Sequence, residues 1–207
     1  MVSVRQEAGE ALFAAEAAYA ESIVMSAVGD LHACVASVEL ALDILPTYAP
    51  AILTMGSIDY QLGHVGKGRR RLLSLLDLPD GTPDLPEILD RAGDFLIGLD
   101  RHRDGLTLYQ RAAARFPDVA ALHQGVSCCA GNEGRHELAI AASEAALELE
   151  PDNQELVNDM GWSLFEGDGP EQALPYLQRA VAMDPSDPLA AENLRICREA
   201  LHQQSQL

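Results

Sequence analysis

The chain has 207 residues, 48% of them apolar and 5% aromatic, so it can bury a core and does not belong to the disordered class. Its 32 acidic residues against 14 basic ones give a formal charge of −18, which opposes nucleic acid and anionic membrane and steers a basic or amphipathic partner toward it. No run of about twenty apolar residues occurs, and Cys34, Cys128, Cys129 and Cys197 have neither metal nor disulfide-framework spacing. The expectation is a cytoplasmic protein with free thiols, no cofactor or metal, and no insertion into a membrane.

In chain order, the amphipathic stretch from Val4 to Val28 reads as an opening helix. Gly29, Cys34, Val38, Ala41 and Pro46 punctuate a first helix pair over 15–48. Gly56, Gly63 and Leu72 do the same over 49–82, with Asp59 where a buried aromatic is expected and Gly68 in place of a small alanine. The basic cluster of Lys67, Arg69, Arg70 and Arg71 falls on the second helix of that pair, as a solvated face or in ion pairs with acids such as Asp77 and Asp80. The segment PDGTPDLP cannot continue a helix, so it is expected to form a loop of about three extra residues, suited to a hinge.

Beyond it the period becomes strict. Pro117, Pro151 and Pro185 recur every 34 residues, each closing an alanine-rich stretch (RAAARFPD, EAALELEPD, RAVAMDPSD). The pair over 86–119 carries Gly93, Leu96, Gly105, Tyr109 and Ala112; that over 120–153 carries Gly134, Ala139 and Ala146, with Ser127 for the usual glycine and Ser143 for the usual aromatic. The pair over 154–187 carries Val157, Met160, Gly161, Leu164, Ala173, Leu177 and Ala180. A last amphipathic helix over 188–203 then covers the end of the array.

These residues match the pattern W-x2-L-G-x2-Y…A-x3-F…P, and the chain resembles the tetratricopeptide repeat family over nearly its whole length. The resemblance implies an all-α, right-handed superhelical solenoid of helix-turn-helix repeats with a C-terminal capping helix, forming a single domain. It also implies that a partner protein or peptide lies in a groove lined by the first helix of each repeat, and that the protein is a non-catalytic adaptor or chaperone-like module. By repeat position the groove residues are Tyr19 and Ile23; Leu53 and Tyr60; Asp90, Asp94 and Ile97; Asn158, Asp159, Trp162 and Phe165; and Asn193.

Trp162, the only tryptophan, either anchors a ligand or packs beside Phe165, and the two asparagines are placed to bond a peptide backbone. Carboxylates dominate the lining and Arg91 is its one cation, which argues against gripping a ligand's C-terminal carboxylate. Two other readings stand beside the groove: a self-assembling scaffold, hence a homo-oligomer, and an accessory subunit presenting substrate to a separate enzyme. No H-E-x-x-H, G-x-S-x-G, Walker A or dinucleotide motif occurs, and the six histidines form no i, i+4 pair.

Overall fold

In a computed structural model, which describes residues 4–206, the chain is a succession of antiparallel helix hairpins with no strand among the described residues. The helices are α1 (Val4–Ala27), α2 (Leu31–Ile44), α3 (Ala49–Gln61), α4 (Val65–Ser74), α5 (Leu85–Ile97), α6 (His102–Arg115), α7 (Ala120–Asn132), α8 (His136–Leu149), α9 (Gln154–Gly167), α10 (Pro170–Met183) and α11 (Pro188–Gln204). No helix among the described residues is long and apolar enough to cross a membrane. The described residues through Ala92 form one compact unit and those from Gly93 a second.

Each hairpin closes through one pair of positions sixteen residues apart. At Gly56 a Cβ would stand 2.5 Å from Leu72, and at Gly161 it would stand 2.7 Å from Leu177. In the second unit Gly93 meets the ring of Tyr109 in the same way, at 2.1 Å, and Gly125 of α7 presses on the other side of that ring. Tyr109 is fully buried between the two glycines, so helix axes approach until only an aromatic plane fits between them.

Ser127 and Ser143 occupy the corresponding places one period later. Their hydroxyls lie 2.6 Å apart and both reach Ser163 of α9, at 3.1 and 3.0 Å. The missing aromatic is thus replaced by a closed triangle of buried hydroxyls joining α7, α8 and α9, in which each polar group is satisfied.

Gly68 has an equally local cause: a Cβ there would meet the Tyr60 ring at 2.5 Å and the carbonyl oxygen of Gly56 at 2.9 Å. Alanine, usual at this place, does not fit once Tyr60 fills the crossing of α3 and α4.

Turns within hairpins need a left-handed residue, because helix C-termini are best closed by one with positive φ. Gly29 (φ 80°), Gly63 (φ 79°) and Gly134 (φ 69°) supply it; between α5 and α6 the work falls to Asp100, at φ 54°. The three-residue offset between Gly63 and Asp100 is the extra length of the loop at 79–84, after which α5 begins at Leu85. Pro117, Pro151 and Pro185 each stand two residues beyond the end of a second helix, where a missing N–H removes no helical bond.

In the second unit α7 lies against α9 and α9 against α11, so the first helices form a layer of their own beside α6, α8 and α10. Met160, Leu164, Ala173, Leu177, Leu194 and Cys197 make the core that α11 closes, while Val157, Ala180 and Ala190 make a second contact between the same helices. In the first unit Ala18, Val38, Ala41, Ala51 and Met55 form the core.

Candidate functional site

First helices of successive repeats touch through residues one position beyond the repeat period. Asn193 donates to Asn158 Oδ1 at 3.1 Å, Gln124 donates to Asp159 Oδ2 at 2.7 Å, and the hydroxyls of Tyr19 and Thr54 lie 3.0 Å apart. Each pair is separated by 35 residues. A period of 34 brings equivalent positions side by side, and the forward slant of the helices shifts the contact by one.

This ladder sorts the residues expected to line a groove. Asn158 and Asn193 are buried and satisfy each other, while Leu53 and Tyr60 are buried in α3. Tyr19 is half-buried, edge-on to Tyr48 at 5.6 Å; burial pushes the Tyr48 phenol above its usual pKa, with Glu16 adding to it. Ile23 is exposed on α1, to one side of the buried Ala15 and Ala18. Asp90 and Ile97 are half-buried.

The structure does bring together a coherent set in the second unit. Glu155, Asp159, Trp162 and Glu166 stand at i, i+4, i+7 and i+11 along α9, a single stripe facing away from the buried Val157, Met160 and Leu164. Trp162 is half-buried and stacks on Phe165 with ring centroids 5.2 Å apart at 27°. Phe165 in turn packs on the core closed by α11, so one face of the indole is backed by the core through that ring.

Beside this stripe, α7 offers Gln124 and Cys128, and Gly131, where the Glu166 carboxylate approaches to 3.2 Å of the place a Cβ would occupy. Asp94 accepts a hydrogen bond from the buried Tyr109 hydroxyl at 3.0 Å, which fixes its carboxylate at the start of the unit.

Electrostatics tie these groups together. Burial raises the Asp159 carboxyl above the ordinary carboxylate range and Glu155 adds to the rise, against hydrogen bonds from Gln124 and Asn158 that lower it. The Cys128 thiol is likewise raised, by burial first and then by Asp159 and Asp94. Cys129, wholly buried, is pushed up to about 12. Both thiols are therefore held protonated, the reverse of what a nucleophile or redox-active cysteine requires. Among the described residues no three His, Cys, Asp or Glu side chains gather as a metal site.

In the basic cluster Lys67, Arg69 and Arg70 are exposed, while Lys67 and Arg71 also make ion pairs. Asp59 is buried, and Lys67 Nζ at 3.0 Å and Arg71 Nε at 3.1 Å close on its two oxygens. The carboxylate in the aromatic's place thus recruits two of the four cations as a strut between α3 and α4. Sequence alone did not pair them, although Asp59 to Arg71 spans the twelve residues that one hairpin turn brings together.

The tetratricopeptide repeat family model matches residues 120–153. No curated protein matches the chain. Among solved structures, it is similar to YrrB, described as a TPR protein with an unusual peptide-binding site, at 20% identity and TM-score 0.61, covering 84% of this chain and 89% of that one. It is similar also to MamA from Desulfovibrio magneticus RS-1, at 16% identity and TM-score 0.61 over 84% and 97% of the two chains. The first TPR domain of human RPAP3 aligns at 16% identity and TM-score 0.56, over 60% and 98%. With small residues at the hairpin crossings of α3 to α10, left-handed turns within the hairpins and prolines at a 34-residue period, the chain is an all-α protein of the tetratricopeptide-repeat fold, and residues 120–153 are the repeat that the family model recognises.

Proposed function

We propose that this protein is a non-catalytic interaction module, an adaptor or chaperone-like holder, and that the acidic face of α9, beside α7, binds a cationic, partly apolar segment of a partner protein. The observation that carries the reading is the α9 stripe of Glu155, Asp159, Trp162 and Glu166, three carboxylates around an indole backed by Phe165. An indole face with carboxylates on either side suits lysine or arginine side chains: the ring takes the aliphatic stem or the cation, and the carboxylates take the charge.

Burial of Asp159 supports this further, since an anion held above its ordinary pKa gains most from an incoming cation. A related fold, the first TPR of Spaghetti (RPAP3), is described as bound to the HSP90 peptide SRMEEVD, a ligand rich in acid. Such a peptide meets like charge on this chain, so the partner expected here has the opposite sign.

Trp162 is the only tryptophan, which makes its fluorescence a direct reporter. A peptide alternating lysine and leucine is expected to shift that emission and to bind measurably by calorimetry, whereas a glutamate–leucine peptide is not. Asp159→Lys and Trp162→Ala should each weaken the calorimetric affinity by about tenfold or more. Equal binding of both peptides, or undiminished affinity in both variants, would overturn the assignment.

A further inference from the structure

The outward side of α1 carries a surface of a different kind from the α9 stripe. Phe13, Ala17, Ala20 and Val24 stand at i, i+4, i+7 and i+11, all exposed on the side away from buried Ala15, Ala18 and Ser22. Phe13 is 74% and Val24 55% exposed, and the two alanines between them leave a saddle with a large apolar side chain at each end. Steps of four, three and four residues are those of the a and d places of a heptad, the seam by which one helix packs lengthwise on another. The inner side of α1 is already spent, since Ala18 joins Val38, Ala41, Ala51 and Met55 in the core of the first unit. The seam on the outer side is therefore a second one, on a helix of 24 residues whose hairpin partner α2 has 14.

Charge decides what can lie along it. With Phe13 and Ala20 at d and Ala17 and Val24 at a, Glu16 falls at g and Glu21 at e, on opposite edges of the seam. Both are exposed, and neither has an ion pair among the described residues. Glu10 adds a carboxylate one turn before Phe13, and from Gln6 to Ala27 the helix has no lysine, arginine or histidine. A second copy of α1 is a poor occupant for this reason. Laid parallel, it sets Glu16 of one helix opposite Glu21 of the other; laid antiparallel, it sets like edge on like edge, carboxylate against carboxylate again.

We propose that the outer face of α1 docks one amphipathic helix of a partner protein, apolar at its own a and d places and carrying lysine or arginine at e and g. Its large apolar side chains fill the saddle over Ala17 and Ala20 between Phe13 and Val24, and its cations meet Glu16 and Glu21. Alanines at the middle of the seam let the two helix axes come close, while Phe13 and Val24 fix the register at either end. Ile23, one heptad beyond Glu16 and also exposed, widens the apolar strip on that edge. Such a helix removes an exposed phenylalanine from water and neutralises both edges at once. The seam belongs to the first unit and the α9 stripe to the second, so the inference does not rest on the ligand proposed for that stripe.

The probe is a fluorescein-labelled peptide of about three heptads with leucine at a and d and lysine at e and g, whose like-charged edges keep it from pairing with itself. Anisotropy is read on the full chain carrying Trp162→Ala and Asp159→Lys, so that the α9 stripe is disabled and only other surfaces report. Saturable binding is expected, and adding Phe13→Asp should weaken it by about tenfold or more. Adding Glu16→Lys with Glu21→Lys instead, two changes at exposed side chains, should lose the lysine peptide by a similar factor and gain its counterpart with glutamate at e and g. That gain shows the variant to be folded. Sedimentation velocity of the native chain should show no association that Phe13→Asp removes. Absence of binding, equal affinity for the two peptides, an unchanged affinity in Phe13→Asp, or a charge-swapped chain that keeps its preference for lysine would each overturn the docking face. So would self-association lost in Phe13→Asp, which makes a second copy the occupant.

Discussion

Asp59 shows how one side chain reorganises its surroundings. It is 2% exposed in a place where this repeat pattern puts an aromatic, and the cost of burying a carboxylate is offset by Arg71 and Lys67. Removing one partner is then worse than removing both. Arg71→Met should cost about 2–3 kcal/mol, because it leaves a buried acceptor with less compensation. The double variant Asp59→Leu with Arg71→Met should cost clearly less than the sum of the single changes, as read from urea unfolding midpoints in a double-mutant cycle.

Asp159 is the opposite case, a half-buried carboxyl with amide donors but no cation in contact. Its folded pKa is raised, so above that raised value the charged form weakens folding. The penalty fades as pH falls through the raised value toward the ordinary 3.8. Asp159→Asn is therefore expected to stabilise the protein at pH 7, with a gain that shrinks toward pH 4, and at the same time to weaken capture of a lysine-rich peptide. Urea unfolding at the two pH values together with calorimetry reads both signs; stability and binding are expected to move in opposite directions.

At the scale of the element, the hairpin turns obey a rule that sequence discloses only in part. Gly29, Gly63 and Gly134 mark the left-handed position openly. Asp100 occupies it without the glycine's freedom, tolerable because aspartate enters this region at less cost than most residues. Asp100→Gly should raise stability by about 0.5–1 kcal/mol, measured as a higher denaturant midpoint with unchanged slope.

The hairpin crossings were similarly half-legible. Gly56, Gly93 and Gly161 announce close approach, and the repeat period says so without coordinates. That Ser127, Ser143 and Ser163 form one hydroxyl triangle across three helices was not legible. Ser127 and Ser143 read as departures from a pattern, and the third member lies on the next repeat.

For the whole molecule, the charge of −18 acts on stability and on binding with opposite consequences. Added salt screens self-repulsion and is expected to raise the unfolding midpoint, while slowing association with a cationic peptide by roughly tenfold between low and high ionic strength. Thermal melts and stopped-flow Trp162 fluorescence across one salt series check the two trends together.

What the sequence by itself determined is the helix-hairpin repeat, its 34-residue period, the helix ends and the side of α9 that stays out of the core. All of these follow from local periodicity and from glycine and proline chemistry, which act within one repeat. Tertiary structure alone decided which polar residues are spent on the fold and which remain for a partner. Asn158 and Asn193 occupy groove positions by sequence, yet the offset between neighbouring first helices turns them toward each other and buries them. The same offset leaves Glu155, Trp162 and Glu166 accessible on α9 and brings Gln124 to Asp159. That sorting depends on how two helices 34 residues apart lean on one another, a quantity that no single repeat contains.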